Sequence, residues 1–310
     1  MSRKGSHLLV SIVGPTAVGK TALAIELAQF FKTEIISADS RQFYREISIG
    51  TAKPTEAERS LAPHHFIDSH TVKEEYNASN FEKDALKQVE QLFKHHDLVI
   101  LCGGSGMYLD AVNHGFDQGL PSADEALRKK LKAELETNGI EALQRRLKQL
   151  DPAFYKEVDL ANSKRLLRAI EVCMLTGKAY SSIRKGKGKE RAFKRLKIGL
   201  EMDREHLYER INRRVDIMIE NGLLEEVKAV QAYQNHNALK TVGYRELFDY
   251  LAGKLTFDTA IEKIKINSRR YAKRQMSWFK RDDSIHWFKP TQIEEIKALI
   301  TTKIKVHEQS

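Results

Sequence analysis

The chain has 310 residues, 41% hydrophobic and 30% charged, and aliphatic residues run throughout, which excludes wholesale disorder and predicts about two domains. Its formal net charge of +10 favours a polyanionic partner such as nucleic acid, although a merely soluble basic protein stays open at this point. Two distant cysteines exclude a disulfide framework, and no apolar run approaches the ~18 residues of a membrane span.

The first third of the chain alternates strands and helices. Residues 7–13 predict a buried strand, and residues 20–31 predict an amphipathic helix. A second strand is predicted over residues 34–39, a helix over residues 76–96 and a third strand over residues 97–102. This alternation indicates a parallel sheet with helices on both faces.

The pattern changes after Gly115. Residues 122–182 are helical and strongly charged, with no convincing strand, before a further strand at residues 196–202. We interpret residues 118–189 as a helical insertion domain. Residues 1–117 and 190–310 then form one α/β core with a helical C-terminal part.

The strongest motif follows the first strand and opens the first helix. Its pattern, G-x-x-x-x-G-K-[ST], is that of a phosphate-binding loop, or P-loop. It consists of Gly14, Pro15, Thr16, Ala17, Val18, Gly19, Lys20 and Thr21. Backbone amides and the positive helix end face phosphate oxygens in such a loop, Lys20 adds positive charge, and the Thr21 hydroxyl can ligate Mg²⁺.

A P-loop alone does not identify an ATPase, because hydrolytic P-loop proteins usually carry a second strand that ends in aspartate. The strand at residues 98–101 ends instead in Cys102-Gly103-Gly104-Ser105-Gly106. The strand that does end in a carboxylate stops at Asp39, at the sheet edge where α/β proteins bind ligands. On its residues alone, Asp39 is as consistent with a turn or helix cap as with a general base or substrate clamp.

Two segments are dense in positive charge. Residues 263–281 hold eight lysines and arginines and no acid, and residues 184–197 hold eight against the single Glu190. On a helix, Arg269/Lys273 and Arg270/Arg274 would be repulsive pairs four residues apart. Such runs are often only solvated faces, but two of them beside a phosphate motif favour nucleic acid.

Six segments in this order resemble the tRNA dimethylallyltransferase (tRNA isopentenyltransferase) family, from Leu9 to about Lys289. They are the P-loop, Ser37-Ala-Asp-Ser-Arg-Gln-Phe-Tyr-Arg45, Ile49-Gly-Thr-Ala-Lys-Pro54, Gly103-Gly-Ser-Gly-Met-Tyr108, Lys164-Arg-Leu-Leu-Arg-Ala-Ile-Glu171 and Val242-Gly-Tyr-Arg-Glu246. Ser105 stands where the family typically has threonine. The Cys/His zinc module of many eukaryotic members is absent, so the chain resembles bacterial members.

The resemblance implies a P-loop-kinase-like core with an inserted helical domain that contacts tRNA. It implies transfer of a dimethylallyl group from its diphosphate to the exocyclic amine of the adenosine 3′ of the anticodon, with Mg²⁺ as cofactor. Asp39 would be the base, and Ser105 and Arg214 would contact the diphosphate near the breaking bond. We expect a monomer in the cytoplasm, with no membrane partner. The implied tRNA-binding residues are Asp39, Ser40, Arg41, Gln42, Lys164, Arg165, Leu166, Leu167, Arg168, Val242, Gly243, Tyr244 and Arg245.

Two other classes stay open on the sequence. One is a small-molecule enzyme on the same core, either an adenylate prenyltransferase or a P-loop kinase. The other is a nucleic-acid-binding P-loop protein without catalysis, which would not need Asp39.

Overall fold

The computed structural model describes residues 7–115, 120–121, 123–184 and 188–308. The predicted boundary between residues 117 and 118 lies outside these residues, as do Lys185 and Lys187 of the second basic segment. Within the described part of the chain, no helix has both the length and the apolar character that crossing a bilayer requires.

The centre of the fold is one six-stranded sheet in which every pair of neighbours is parallel. Its strands are β1 (Leu8–Val13), β2 (Ile35–Ser37), β3 (His64–His65), β4 (Leu98–Cys102), β5 (Lys194–Leu200) and β6 (Ile285–Phe288), in the spatial order β3-β2-β4-β1-β5-β6. All six residues of β1 are buried, as expected for a strand with a neighbour on each side. The predicted α/β fold with a parallel sheet is therefore confirmed.

Helices and loops connect the strands. The helices are α1 (Lys20–Phe31), α2 (Glu56–Leu61), α3 (Ala78–Leu92), α4 (Gly106–His114), α5 (Glu125–Leu150), α6 (Pro152–Glu157), α7 (Ser163–Thr176), α8 (Tyr180–Ile183), α9 (Arg204–Glu220), α10 (Leu223–Ala229), α11 (Tyr244–Leu251), α12 (Phe257–Phe279) and α13 (Ile293–Glu308). Two short 3₁₀ turns lie at Gln231–Tyr233 and Asn237–Leu239.

Parallel pairing places the carboxyl ends of the strands at one edge of the sheet. Register pairs Ile12 of β1 with Cys102 of β4 and with Ile198 of β5, and Ser37 of β2 with Cys102. The loops that leave β1, β2 and β4 therefore emerge side by side. This edge is where α/β sheets bind their ligands.

The chain divides into two compact units, residues 1–113 with 191–310 and residues 114–190. Unit 1 contains the sheet. A core cluster of unit 1 includes Leu8, Val10 and Ile12 of β1 and also Ile296 and Ile300 of α13, so the last helix shares a core with the first strand.

Unit 2 is helical throughout its described part, and α5 to α8 surround a small core. Leu131, Leu143, Leu147, Leu166 and Ile170 are among its buried members. Gly139 interrupts α5 with φ 72° and ψ 179°, so α5 consists of two helical pieces. With a core this small, polar contacts carry a larger share of the stability of unit 2.

One such contact is a carboxylate with no exposed side-chain surface. Glu171 of α7 accepts hydrogen bonds from Arg128 at 2.8 Å, Arg168 at 2.8 Å and the backbone N–H of Asp124 at 2.9 Å. Burial alone would raise the pKa of Glu171, but these donors outweigh it and hold that pKa below its usual value. The contact therefore stabilises unit 2 at neutral pH, and the stabilisation is lost as pH falls through the lowered pKa.

We predict that Glu171→Gln lowers the local free energy of unfolding of unit 2 by about 1–3 kcal/mol at pH 7, because an amide places an N–H₂ against the arginine donors. Amide hydrogen exchange in α7 at pH 7 and near pH 4 measures this, and the difference between variant and wild type should shrink at the lower pH. The exposed Glu157→Gln is the matched control. Unchanged protection of α7 at pH 7 would contradict the prediction.

Candidate active site

The glycine-rich segment forms the turn between β1 and α1. Gly14 has φ 143°, and a Cβ there would lie 2.6 Å from the backbone oxygen of Leu200 in β5, so glycine is required. Gly19 has φ 113° and precedes α1 without a side-chain cap. The backbone N–H groups of the first turn and the positive end of the helix therefore favour an anion at this loop.

Two cations lie beside the loop. Lys20 donates from Nζ to the backbone oxygen of Pro15 at 2.7 Å, and burial lowers the pKa of Lys20 to about 8. Arg214 of α9 donates to the hydroxyl of Thr16 at 2.9 Å, and burial lowers its pKa as well. Among the described residues, the buried Nε of Arg214 has no hydrogen-bond partner. A poorly solvated positive charge with a spare N–H favours a bound anion.

The predicted base, Asp39, lies two residues beyond β2. Its Oδ1 accepts the backbone N–H of Arg41 at 2.9 Å. Ser105, which follows β4, has a hydroxyl that accepts the backbone N–H of Ser40 at 3.1 Å and donates to the Ser40 hydroxyl at 3.2 Å. The loops after β2 and β4 are therefore hydrogen-bonded to each other at the sheet edge, because β2 and β4 are parallel neighbours.

Two cavities meet at this place. The larger, of about 620 Å³, is lined by the glycine-rich loop, Lys20 and three arginines of α9. The smaller, of about 120 Å³, is lined by Arg41, Val242 and Gly243 among others. Five residues line both cavities, namely Thr16, Asp39, Thr51, Arg214 and Tyr271. A reaction between a ligand in each cavity would therefore take place beside Asp39 and Arg214.

Two further residues of this site were missed by sequence reasoning, and both come from α12. Tyr271 lines both cavities, and burial raises its pKa to about 12. Gln275 accepts the backbone N–H of Thr16 at 2.8 Å and donates to the backbone oxygen of Gly104 at 2.8 Å. One buried amide thus holds the loop after β1 and the loop after β4 together. Tyr271 and Gln275 lie four residues apart and therefore on one face of α12, which is the signal that the sequence contains.

The basic segment 263–281 lies almost entirely on α12, and only part of it faces solvent. Lys265 pairs with Asp216 at 2.8 Å, and Arg269 donates to the amide oxygen of Asn212 at 2.5 Å. The contact with Asn212 of α9 directs the Arg269 side chain away from the predicted repulsive pair with Lys273. Arg270, Lys273 and Arg274 are exposed, so this part of the segment presents positive charge to solvent as the sequence predicted.

Two cations of the second basic segment, Arg191 and Lys197, do not lie on a free basic face as the sequence predicted. Arg191 forms a buried ion pair with Glu82 at 3.0 Å, each side chain 7% exposed. Lys197 lies in β5 and pairs with Asp282 at 2.5 Å. Both cations stabilise the fold of unit 1, because each is paired with a carboxylate that is far away in sequence.

The residues that the resemblance assigns to tRNA fall into three groups. In the loop after β2, Arg41 lines the smaller cavity, whereas the Gln42 amide donates to the backbone oxygens of Thr51 and Ala52. Before and at the start of α11, Val242 and Gly243 line the same cavity and Arg245 is exposed, but the Tyr244 side chain is fully buried. The third group, residues 164–168, lies on α7 in unit 2.

Within that third group, Lys164 and Arg165 are exposed and Leu167 is half-buried. Leu166 is part of the core of unit 2, and Arg168 is tied to Glu171 and to the backbone oxygen of Pro121 at 2.7 Å. A substitution of Arg168 would therefore disturb unit 2 itself. Lys164 and Arg165 offer their charges to solvent, and the tRNA contact of the whole segment stays a prediction.

The larger cavity suits a metal ion that arrives with a phosphate ligand. Among the described residues, no group of three or more His, Cys, Asp or Glu could hold a metal by itself. Thr21 lies in the first turn of α1 and lines the larger cavity together with Asp39. Mg²⁺ usually keeps several waters and takes one or two protein groups with substrate phosphates, so the Thr21 hydroxyl beside this loop fits it.

The fold and the site together define an α/β protein with a glycine-rich loop and a basic cavity that favours a phosphate-bearing ligand. A family model described as IPP transferase matches residues 42–282. The chain is 49% identical over 297 residues to a tRNA dimethylallyltransferase 1 of Bacteroides fragilis, covering 96% of this chain and 98% of that protein. It is 48% identical over 304 residues to a tRNA dimethylallyltransferase of Flavobacterium johnsoniae, with 96% and 98% covered.

Solved structures agree. A tRNA isopentenylpyrophosphate transferase from Bacillus halodurans superimposes with a TM-score of 0.73 and 38% identity over 98% of both chains. A eukaryotic dimethylallyltransferase acting on tRNA superimposes with a TM-score of 0.79 and 29% identity over 93% of this chain and 75% of that one. The chain belongs to the IPP transferase family.

We predict that Gln275→Leu weakens the binding of inorganic pyrophosphate about tenfold, because it frees the Thr16 N–H and the Gly104 oxygen that now hold the loop in place. Isothermal titration calorimetry measures the dissociation constant. Gln144→Leu is the matched control, because it removes a single side-chain hydrogen bond to the backbone oxygen of Leu160 in unit 2. Equal pyrophosphate affinity in both variants would count against a role for Gln275 in holding the loop.

Proposed function

We propose that this chain transfers the dimethylallyl group of dimethylallyl diphosphate to N6 of the adenosine 3′ of the anticodon in tRNA and releases pyrophosphate. The observation that carries the proposal is that Asp39 and Arg214 line both cavities. The larger cavity is basic and is lined by the glycine-rich loop, and the other cavity is small. Membership of the IPP transferase family supports the same reaction.

The donor would bind in the larger cavity with its diphosphate on the glycine-rich loop. Negative charge develops on the diphosphate as the bond from C1 to its oxygen breaks. Lys20, the spare Nε–H of Arg214 and the N-terminal end of α1 would stabilise that charge. Thr21 would hold Mg²⁺ against the same phosphates, and the bound ion supplies further neutralisation of the leaving group.

The acceptor base would enter the smaller cavity, which requires its extrusion from the anticodon loop. The N6 amine is a weak nucleophile because its lone pair is delocalised into the ring. As the bond from N6 to C1 forms, N6 loses one proton, and Asp39 would accept it. The Arg41 N–H holds one carboxylate oxygen of Asp39 in place, so that the other can face the amine.

In this proposal the protein acts as a monomer in the cytoplasm, the compartment that holds tRNA. Residues of unit 1 line both cavities.

We predict that Asp39→Asn lowers kcat by about 10²–10⁴, the usual range for a positioned acid–base group. The amide can still accept the Arg41 N–H, so the turn should keep its geometry and pyrophosphate affinity should stay within a few-fold of wild type. Single-turnover transfer of labelled dimethylallyl groups measures the rate. The exposed Asp258→Asn is the control, and a single-turnover rate close to wild type would remove Asp39 from the role of base.

The test of the proposed function is incubation with labelled dimethylallyl diphosphate and bulk tRNA, followed by nucleoside analysis. We expect N6-isopentenyladenosine from tRNA and none with Lys20→Ala. An anticodon stem-loop should be used efficiently and free AMP should not. The exposed cations of α12 can bind the backbone phosphates of a stem-loop, whereas AMP carries a single phosphate. The efficiency with the stem-loop should also fall steeply with salt, with a log–log slope of roughly −0.7 to −0.9 per phosphate contact.

Comparable kcat/KM for AMP, or a flat salt response for the stem-loop, would favour a cytokinin-type enzyme instead. Labelled diphosphate that is consumed only together with ATP would point to a kinase.

A further inference from the structure

One carboxylate outside both cavities holds a wall of the smaller one. Glu226 of α10 accepts from Oε2 the backbone N–H groups of Ser48 at 2.7 Å and Ile49 at 2.8 Å. Its Oε1 accepts the backbone N–H of Gly50 at 2.9 Å and the hydroxyl of Tyr244 at 2.5 Å. A single side chain from α10 thus joins the loop at residues 48–50 to the start of α11.

All four contacts need a carboxylate. A carboxylate has about four lone-pair positions and no donor, so Glu226 is fully used as an acceptor. Burial raises the pKa of Tyr244 well above its ordinary value, so its phenol remains a donor. An amide at this position would turn an N–H₂ group toward at least one of the four donors, and an isosteric replacement therefore cannot reproduce the contact.

The two segments that Glu226 joins both line the smaller cavity. Gly50 and Thr51 contribute from the loop, and Val242 and Gly243 contribute from the residues just before α11. The joint is also closely packed, because a Cβ on Gly50 would lie 2.6 Å from the ring of Tyr244. Loss of the Glu226 contact would therefore change the width of this cavity.

The larger cavity does not depend on Glu226 in the same way. Gly50, Val242 and Gly243 line only the smaller cavity. The continuation of the loop toward the larger cavity is held by other side chains, since Lys53 donates to the backbone oxygen of Tyr44 at 2.5 Å and Gln42 donates to that of Ala52 at 3.1 Å. Loss of the Glu226 contact should therefore act on one ligand and spare the other.

We propose that Glu226 is a positioning residue for the acceptor, which fixes the width of the smaller cavity and thereby holds the adenine with N6 toward Asp39. It touches neither substrate and acts through Gly50 and Tyr244. The inference rests on the proposed function, because it takes the smaller cavity as the place of the base and the larger as the place of the diphosphate.

The test compares Glu226→Gln with wild type and with the neighbouring exposed Glu225→Gln as matched control. We expect Glu226→Gln to raise KM for an anticodon stem-loop about tenfold or more, and to lower kcat, because the amide nitrogen would face donors that now bind a carboxylate oxygen. The dissociation constant for inorganic pyrophosphate should stay within about twofold, as for Glu225→Gln, since the larger cavity is held separately.

Tyr244→Phe is the second variant and covers the case in which Glu226→Gln fails to fold. It removes one of the four donors and keeps the ring against Gly50, so KM for the stem-loop should rise about threefold to tenfold at unchanged pyrophosphate affinity. An unchanged KM for the stem-loop in a folded variant would overturn the inference, as would an equal loss of affinity for both ligands. Failure of the proposed function is a separate result, because wild type itself would then leave tRNA unmodified.

Discussion

Lys20 and Arg214 place two positive charges in one partly buried space, and among the described residues neither forms an ion pair within 4 Å. Moving such charges out of water without a carboxylate to neutralise them costs free energy, and neighbouring dipoles have to offset it. Here the Pro15 oxygen and the Thr16 hydroxyl provide those dipoles. The two charges therefore favour an anionic ligand in the larger cavity, which both side chains line, because such a ligand would neutralise them.

The C-terminal helices support this site. The loops that carry the motifs leave the sheet edge side by side, and side chains from three C-terminal helices hold them in place. Gln275 of α12 holds the loops after β1 and β4, Arg214 of α9 holds Thr16, and Glu226 of α10 holds the loop at residues 48–50. The sheet thus sets where the loops emerge, and the helices set how far apart they stand.

The strands β1, β2, β4 and β5, the glycine-rich loop and the place of Asp39 could be predicted because each depends on local pattern. Strand ends and turn residues are adjacent in sequence, and a parallel sheet brings them to one edge. Gln275 and Glu226 could not be predicted, since their partners in the loops lie more than 150 residues away and neither residue type is distinctive alone. The misinterpretation of Arg191 has the same origin. A cation that looks unpaired in its own segment finds Glu82 on a helix from a distant part of the chain.

The sheet order has a consequence for synthesis of the chain. β1 is the first strand made, yet its residue Leu8 pairs with Leu98 on one side and with Lys194 on the other. On a ribosome, one edge of this largely apolar strand stays without its partner until unit 2 has been synthesised and β5 has emerged. Such non-local parallel pairing is slow and leaves a strand edge open to other chains. The insertion, which has its own core, can fold during that interval, so the growing chain would carry a finished helical unit beside an unfinished sheet.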